Sequence, residues 1–159
     1  QDVKNVLGHQ AYILESIKAL GKLKSYKMHI AWDDGEADGE FIFGMVTNTT
    51  SVGGFSGLAP KDVSFHDGLF EGLFIRTPKS PVDLPNILSG LLLFPEQENK
   101  DMIRFKSSKF TVTADEDVPW VLDGEFGGAV KEAKIENVKE AVTLSCSPEP
   151  EKKEEKTEN

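Results

Sequence analysis

Two acidic residues follow an apolar run in this 159-residue sequence, and their types and spacing could support metal binding or phosphoryl transfer. Asp123-Gly124-Glu125 directly follows Trp120-Val121-Leu122. In an extended chain, residues i and i+2 point to the same side, so the two carboxylates could reach one metal ion or one transferring phosphoryl group. A turn exposed to solvent is the alternative interpretation.

Two further segments could bind ligands. Asp67 precedes Gly68, and a carboxylate flanked by turn carbonyls offers the oxygen ligands that magnesium or calcium prefers. The loop from Asn48 to Pro60 contains the adjacent pair Gly53-Gly54, which lets a backbone approach a ligand and expose amide donors to an anion. The loop contains neither the G-x-x-x-x-G-K-[ST] pattern of a phosphate loop nor the G-x-G-x-x-G pattern of a dinucleotide fold. Plain turns therefore remain the alternative for both segments.

Charge and cysteine content narrow the class of protein. The net charge of -9 and the pI near 4.8 argue against a nucleic-acid surface or a polybasic membrane contact. A partner that carries phosphate must therefore be bound by individual groups at its binding site, because the overall charge of the protein is negative. The single cysteine, Cys146, forms no internal disulfide, and with three scattered histidines it makes no zinc pattern. We therefore expect a reducing, cytoplasmic setting, and no segment reaches the roughly 18 apolar residues that span a bilayer.

Two helices and about eight strands are expected to position these groups. Apolar residues recur at helical spacing between positions 3 and 20, and a second helix is predicted over 84–94, with its leucines packed on a sheet or, alternatively, touching lipid. Residues 26–32 alternate as a half-buried strand does. Further strands are predicted at 41–46, 69–77, 103–106, 110–114, 120–122, 130–135 and 141–146.

In this order along the chain, the motifs resemble the C-terminal part of the diacylglycerol kinase family, bacterial lipid kinases related to sphingosine and ceramide kinases. The family usually has a third glycine where this chain has Phe55, and its Gly-Gly-Asp-Gly-Thr nucleotide loop, with the domain around it, is not in this sequence. The resemblance thus implies a fragment or a domain expressed alone. The matching residues are Leu7-Gly8, Ala11-Tyr12, Asn48, Gly53-Gly54, Ala59-Pro60, Asp67-Gly68-Leu69-Phe70 and Asp123-Gly124-Glu125.

The resemblance also implies a fold and an activity. The fold would be mainly β, a two-sheet β-sandwich with an N-terminal helix and one inserted helix over residues 1–146, followed by a disordered charged tail at 147–159. The activity would be transfer of the γ-phosphoryl group of ATP to a lipid hydroxyl within lipid metabolism and phospholipid biosynthesis. Diacylglycerol is the expected acceptor, and phosphatidylglycerol, a sphingoid base or an undecaprenyl-like alcohol stays open.

The family's site residues can be carried over one by one. Asp123 would accept the proton of the lipid hydroxyl or hold magnesium, and Glu125 would complete the polar cluster. Asp67, with the carbonyls of Ser64 and Leu69, would form a structural magnesium site. The residues expected to line the cleft towards the nucleotide domain, which would bind most of the ATP, are Asn48, Gly53 and Gly54.

The expected partners are the lipid and ATP, without nucleic acid. Peripheral contact at the inner face of the membrane is compatible with the resemblance, and so is a homodimer. The isolated chain is expected to be inactive. The competing hypothesis is a non-catalytic β-sandwich that binds a ligand or a protein, in which every Asp-Gly pair is only a turn.

Overall fold

The computed structural model describes residues 23–49, 63–80, 82–92 and 98–143. They form six strands and one helix, α1. The strands are β1 (Tyr26–Trp32), β2 (Gly35–Thr47), β3 (Phe70–Arg76), β4 (Met102–Ser107), β5 (Lys109–Leu122) and β6 (Glu125–Glu136), and α1 (Asp83–Leu92) lies between β3 and β4. The predicted helix at 3–20, the Gly53-Gly54 pair and the tail at 147–159 lie outside the described residues.

All six strands belong to one antiparallel sheet in the order β4-β3-β2-β1-β5-β6. The first half of β2, Gly35 to Phe41, pairs with β1, whereas the second half, from Phe41 to Thr47, pairs with β3. The register shifts between Phe41 and Phe43, and such bulges let a strand turn a corner. The prediction of two separate sheets is therefore not met within the described residues, because β2 joins both halves.

The sheet curls strongly, as the connection between β4 and β5 requires. These strands stand four positions apart, about 19 Å in a flat sheet, yet only Ser108 links them. Asp33, in the turn after β1, fastens the connection. Its Oδ2 accepts hydrogen bonds from the Ser108 amide and hydroxyl, each at 2.8 Å, and its own amide donates to Ser107 Oγ at 3.0 Å.

The concave side of the curl holds a core built around aromatic rings. Trp32 of β1 stacks on Phe105 of β4 with ring centroids 4.5 Å apart, although β2 and β3 lie between their strands in the sheet. Phe105 also meets Phe74 and Phe110 at 6.1 and 5.8 Å. Contacts between strands so distant in sheet order place this core inside the curl. Its buried members are Met28, Ile30, Phe41, Phe74, Phe110 and Val112.

Helix α1 covers the convex side. Ile87 and Leu91 pack with Leu73 and Ile75 of β3 and with Met102 of β4. The predicted packing of this helix on the sheet is confirmed for these residues. Within the described residues, no helix is long and apolar enough to cross a membrane.

A capping box starts α1. Ser80 Oγ accepts a hydrogen bond from the Val82 amide at 3.4 Å, and the buried Asp83 carboxylate accepts one from the Ser80 amide at 2.7 Å. Pro85 lies in the first turn, where a missing amide proton costs little. The sequence predicted this helix one residue late, at Leu84.

Several strands in the structure have limits that differ from the predicted ones. The strands predicted at 110–114 and 120–122 are one strand, β5, which also takes in the acidic run from Asp115 to Asp117. Asp38-Gly39, a pair of residue types that is typical of turns, lies inside β2, where pairing with β1 keeps it extended. Residues 141–143 form no strand, so the prediction at 141–146 is wrong for its described part.

Candidate functional site

The Asp123-Gly124 pair forms a two-residue hairpin turn between β5 and β6. Both residues have positive φ, 50° for Asp123 and 90° for Gly124, and Leu122 pairs with Glu125 across the turn. Positive φ at both central positions is typical of a type I′ turn, for which Asp-Gly is a preferred pair. The turn interpretation is thus correct for the backbone, and it leaves the two carboxylates at an exposed apex.

The hairpin from Val118 to Val130, called the β5–β6 arm below, extends beyond the β1 ladder, because β1 and β5 pair only as far as Met28 and Ala114. At its base, Val118 and Trp120 pack on the concave core. Near its apex, Val121, Leu122 and Phe126 are 67%, 62% and 73% exposed. The acids of the apex therefore stand among apolar side chains that solvent reaches.

An irregular joint connects the arm to the rest of the sheet. Pairing between β5 and β6 shifts between Thr113 and Val118, so residues 114–117 have no regular partner on β6. Lysines before and within β1 form ion pairs with this joint: Lys24 with Glu116, and Lys27 with Asp115 at 3.6 Å. These exposed pairs hold the start of the described chain beside the joint, although each adds little stability.

Ser64, Asp67 and Leu69 lie in one turn before β3. The Asp67 carboxylate is exposed, and its Oδ1 accepts a hydrogen bond from the Leu69 amide at 2.9 Å, which closes an Asx turn around Gly68, whose φ is 78°. The Ser64 hydroxyl accepts from the His66 amide at 3.4 Å. These three predicted metal-site residues therefore belong to one short segment.

The oxygen atoms of this turn are of the kind that binds a hard cation. A carboxylate and backbone carbonyls are the ligands magnesium and calcium take. The Leu69 carbonyl accepts a hydrogen bond from Asn137 Nδ2 at 3.2 Å, but a carbonyl oxygen has a second lone pair. The described residues contain no cluster of three or more histidine, cysteine or acidic side chains around a common point. Most ligands at this turn would therefore be carbonyls and water.

Asn48 follows the last residue of β2. Its Oδ1 atom is buried, and no hydrogen-bond donor among the described residues reaches it. Buried acceptors are almost always paired, so this oxygen could accept from a ligand donor or coordinate a cation. Gly53 and Gly54, its predicted partners, lie outside the described residues.

The site residues belong to two regions of the sheet. Asn48 and the Asp67 turn leave the same end of the β2–β3 ladder, where Thr47 pairs with Glu71. Asp123 and Glu125 are carried by β5 and β6, on the other side of β1. Among the described residues, no hydrogen bond or ion pair of these groups links the two regions.

Asn137 and Asp33 support these regions and were not identified from the sequence. The Asn137 amide donates to the Ser108 carbonyl at 2.7 Å, and its side chain holds Leu69. Hydrogen bonds from the Ser108 hydroxyl and amide lower the pKa of the Asp33 carboxyl. These contacts join residues that are distant along the chain, so no local pattern announces them.

Curated diacylglycerol kinases are similar to this chain in sequence. That of Bacillus subtilis strain 168 is 32% identical over 126 residues, which cover 79% of this chain and 41% of the relative. That of Staphylococcus haemolyticus strain JCSC1435 is 26% identical over 157 residues, 99% of this chain and 46% of the relative. The chain spans about two-fifths of the length of the curated relatives it matches. No family model matches the sequence.

Solved structures share the fold. A protein of Bacillus anthracis strain Sterne described as a diacylglycerol kinase matches with a TM-score of 0.60 at 19% identity, over 79% of this chain and 44% of that chain. A second structure from the same strain matches with a TM-score of 0.57 at 16% identity, over 76% and 41%. Sequence and fold thus agree, and the chain is related to the C-terminal region of the diacylglycerol kinases.

Proposed function

We propose that this chain is the lipid-acceptor part of an ATP-dependent lipid kinase, which transfers the γ-phosphoryl group of ATP to the hydroxyl of a diacylglycerol-like lipid. The observation that carries the proposal is that a chain related to this family presents Asp123 and Glu125 at the exposed apex of the β5–β6 arm. Residues 1–146 would form this domain, completed by a helix at 3–20, and 147–159 a tail outside it. Most of the ATP would be bound by a nucleotide-binding part that this chain does not contain.

Asp123 would act as the general base. Its carboxylate would accept the proton of the lipid hydroxyl while that oxygen forms its bond to the γ-phosphorus and the bond from the γ-phosphorus to the bridging oxygen breaks. The type I′ turn restricts the Asp123 backbone to one conformation, which would orient the carboxylate before substrate binds. Glu125, two residues on, would bind the same cation or a bridging water.

The apolar side chains beside the acids suit a lipid acceptor. Val121, Leu122 and Phe126 surround the apex with surface that could contact glycerol-linked acyl chains or an apolar cleft wall. Water excluded by such contacts would strengthen each charge interaction at the reacting oxygen. Magnesium at the reacting phosphates, when bound, would neutralise their charge, and Asp123 with Glu125 would hold it. A structural magnesium ion would be held by Asp67 with the carbonyls of Ser64 and Leu69.

A panel of variants in a protein that joins this region to a nucleotide-binding part tests the proposal. Asp123→Asn keeps the shape of the side chain and removes the base, so phosphorylation of diacylglycerol should fall at least about 100-fold. The Glu125→Gln variant should lose less of this phosphorylation activity. Glu132→Gln is the matched control, because Glu132 lies exposed on the same strand as Glu125 and forms an ion pair with Lys134, away from the apex. An Asp123→Asn enzyme as active as the control would favour the non-catalytic binding module.

A further inference from the structure

A row of apolar side chains runs along the concave side of the β5–β6 arm. Val118 and Trp120 pack on the margin of the concave core, and Leu122 follows two residues on, so strand alternation puts it on the same side. The extra residue of this hairpin, Gly127, lies on β6 and leaves the alternation of β5 intact. Val130 pairs with Val118 and completes what we call the arm stripe: Val118, Trp120, Leu122 and Val130.

The arm stripe ends at the acidic apex. Leu122 and Glu125 are directly paired across the turn, so their side chains leave the hairpin on the same side. Val121 and Phe126 pair with each other and lie on the opposite side. From Val118 to Leu122 the stripe is about 14 Å long, and β5 has no charged residue between these two. The stripe therefore leads without a charge from the core to the acids.

Solvent reaches the outer part of the arm stripe. Leu122 is 62% exposed and Val130 is 44% exposed, while Trp120 is partly buried. Gly128 pairs with Trp120, and a Cβ added to this glycine would have no atom within 4 Å, so there is open space across from the ring. Contiguous apolar side chains that solvent reaches, next to polar groups, are typical of a binding surface.

We propose that the arm stripe binds an acyl chain of the lipid acceptor, which makes Leu122 and Trp120 determinants of acyl-chain specificity. This inference rests on the proposed function, because it takes the acceptor hydroxyl to lie at Asp123. In a diacylglycerol, the nearer ester-linked chain starts on the carbon next to the one that carries the hydroxyl. A hydroxyl at the apex thus places the start of this chain beside Leu122. The chain then runs over the Trp120 ring towards Val118, and the contact removes apolar surface from water.

Charge favours an uncharged chain over other occupants of this surface. A second copy packed arm to arm brings two acidic apices together, and like charges at an interface oppose association. Entry of the apex into a bilayer carries Asp123 and Glu125 into hydrocarbon first, which charged groups resist. An anionic lipid such as phosphatidylglycerol brings its phosphate towards the same acids. The chain of a neutral glyceride meets only apolar side chains on the stripe.

Fluorescence quenching in the 159-residue chain tests the contact without any phosphoryl transfer. The chain contains two tryptophans: Trp120 lies on the arm stripe, and Trp32 stacks on Phe105 inside the curl. The probe is a diacylglycerol with brominated acyl chains in non-ionic detergent micelles, because bromine quenches a ring that it touches. We expect the probe to quench the fluorescence of wild type, and Trp120→Phe to remove most of this quenching.

A matched pair of variants tells the two sides of the arm apart. Leu122→Ser should reduce the quenching at a given probe concentration at least about threefold, because a leucine contact contributes more than this to binding. Val121→Ser should retain it, since Val121 is 67% exposed, as Leu122 nearly is, but lies on the opposite side. Absence of quenching in wild type, or an equal loss in the two variants, would overturn the proposal.

Chain-length selectivity gives a second measurement, in a protein that joins this region to a nucleotide-binding part. The ratio of kcat/KM for dioctanoylglycerol to kcat/KM for diacetylglycerol, which has no long chain, should fall about tenfold in Leu122→Ser. Val142→Ser is the control, because Val142 is exposed and lies after β6, away from the arm. An unchanged ratio in Leu122→Ser would contradict chain binding on the arm stripe.

The kinase function and the chain contact fail in different measurements. An Asp123→Asn enzyme with full activity would refute the kinase function, while quenching of Trp120 would still support an acyl-chain contact on the arm. Loss of activity in Asp123→Asn without quenching of Trp120 would refute the chain contact alone.

Discussion

Replacing Gly72 by alanine tests the curl of the sheet, because the Phe105 ring lies directly over this glycine. An added Cβ would stand 2.4 Å from Phe105 Cζ and 2.5 Å from Cε2. Carbon atoms in van der Waals contact are about 3.5–4.0 Å apart, so the ring must move by about 1 Å or more. It has little room, because Trp32 stacks on it and Phe110 meets it edge-on.

The expected cost follows from these contacts. Overpacking a fixed core costs about 1–3 kcal/mol, and loss of the stacked Trp32–Phe105 pair adds about 0.5–1.5 kcal/mol. Alanine recovers about 0.5–1 kcal/mol, since glycine loses more backbone entropy in a strand. We therefore expect Gly72→Ala to lower the free energy of unfolding by about 1–3 kcal/mol.

A double-mutant cycle identifies the cause. Urea unfolding of Gly72→Ala, Phe105→Leu and the double variant gives the coupling between the two positions. Leucine is smaller and can rotate away, so the double variant should be at least about 1 kcal/mol more stable than the sum of the single effects predicts. A neutral Gly72→Ala, or additive effects, would mean that Phe105 does not lie inside the curl.

Three further measurements test other parts of the structure. The pKa of Asp33 is lowered in the folded state, so its carboxylate stabilises the fold above the unfolded pKa of about 3.9. This stabilisation is lost as the pH falls through the lower folded pKa. The urea midpoints of wild type and Asp33→Asn should therefore differ at pH 7 and converge near pH 2. Trp120→Ala should lower the free energy of unfolding by about 1–3 kcal/mol, because the partly buried ring rests on the concave core at its margin, and a loss above about 4 kcal/mol would mean deeper burial. If magnesium binds at the turn before β3, millimolar magnesium should raise the thermal midpoint of wild type but not of Asp67→Asn, and an equal rise in both would remove Asp67 from the metal site.

Local patterns predicted the elements better than their arrangement. The alternation over Tyr26 to Trp32 gave β1 with its observed limits, and its buried face contains Met28 and Ile30 as predicted. Regular alternation along the strand predicted at 41–46 would put Phe41 and Phe43 on one face. In the structure Phe41 joins the concave core and Phe43 packs with the convex one. The bulge between them reverses the faces, and no residue type marks it.

Long-range pairing also overrode local polarity. The run from Asp115 to Asp117 and Pro119 suggested a break, but both lie in β5 because β1 and β6 hold the strand on either side of the joint. For the candidate site, short motifs predicted the turn before β3 and the Asp123-Gly124 turn. They could not predict that the second turn ends an arm, since the arm exists only through the register of β5 with β6.

The position of Asp123 at the arm apex is central to the proposed kinase function. The most direct measurement is the rate of phosphoryl transfer from ATP to diacylglycerol by a protein that contains this region together with a nucleotide-binding part, compared between Asp123→Asn and Glu132→Gln. We predict a ratio of about 100 or more in favour of Glu132→Gln. Equal rates in the two variants would contradict a catalytic role for the apex.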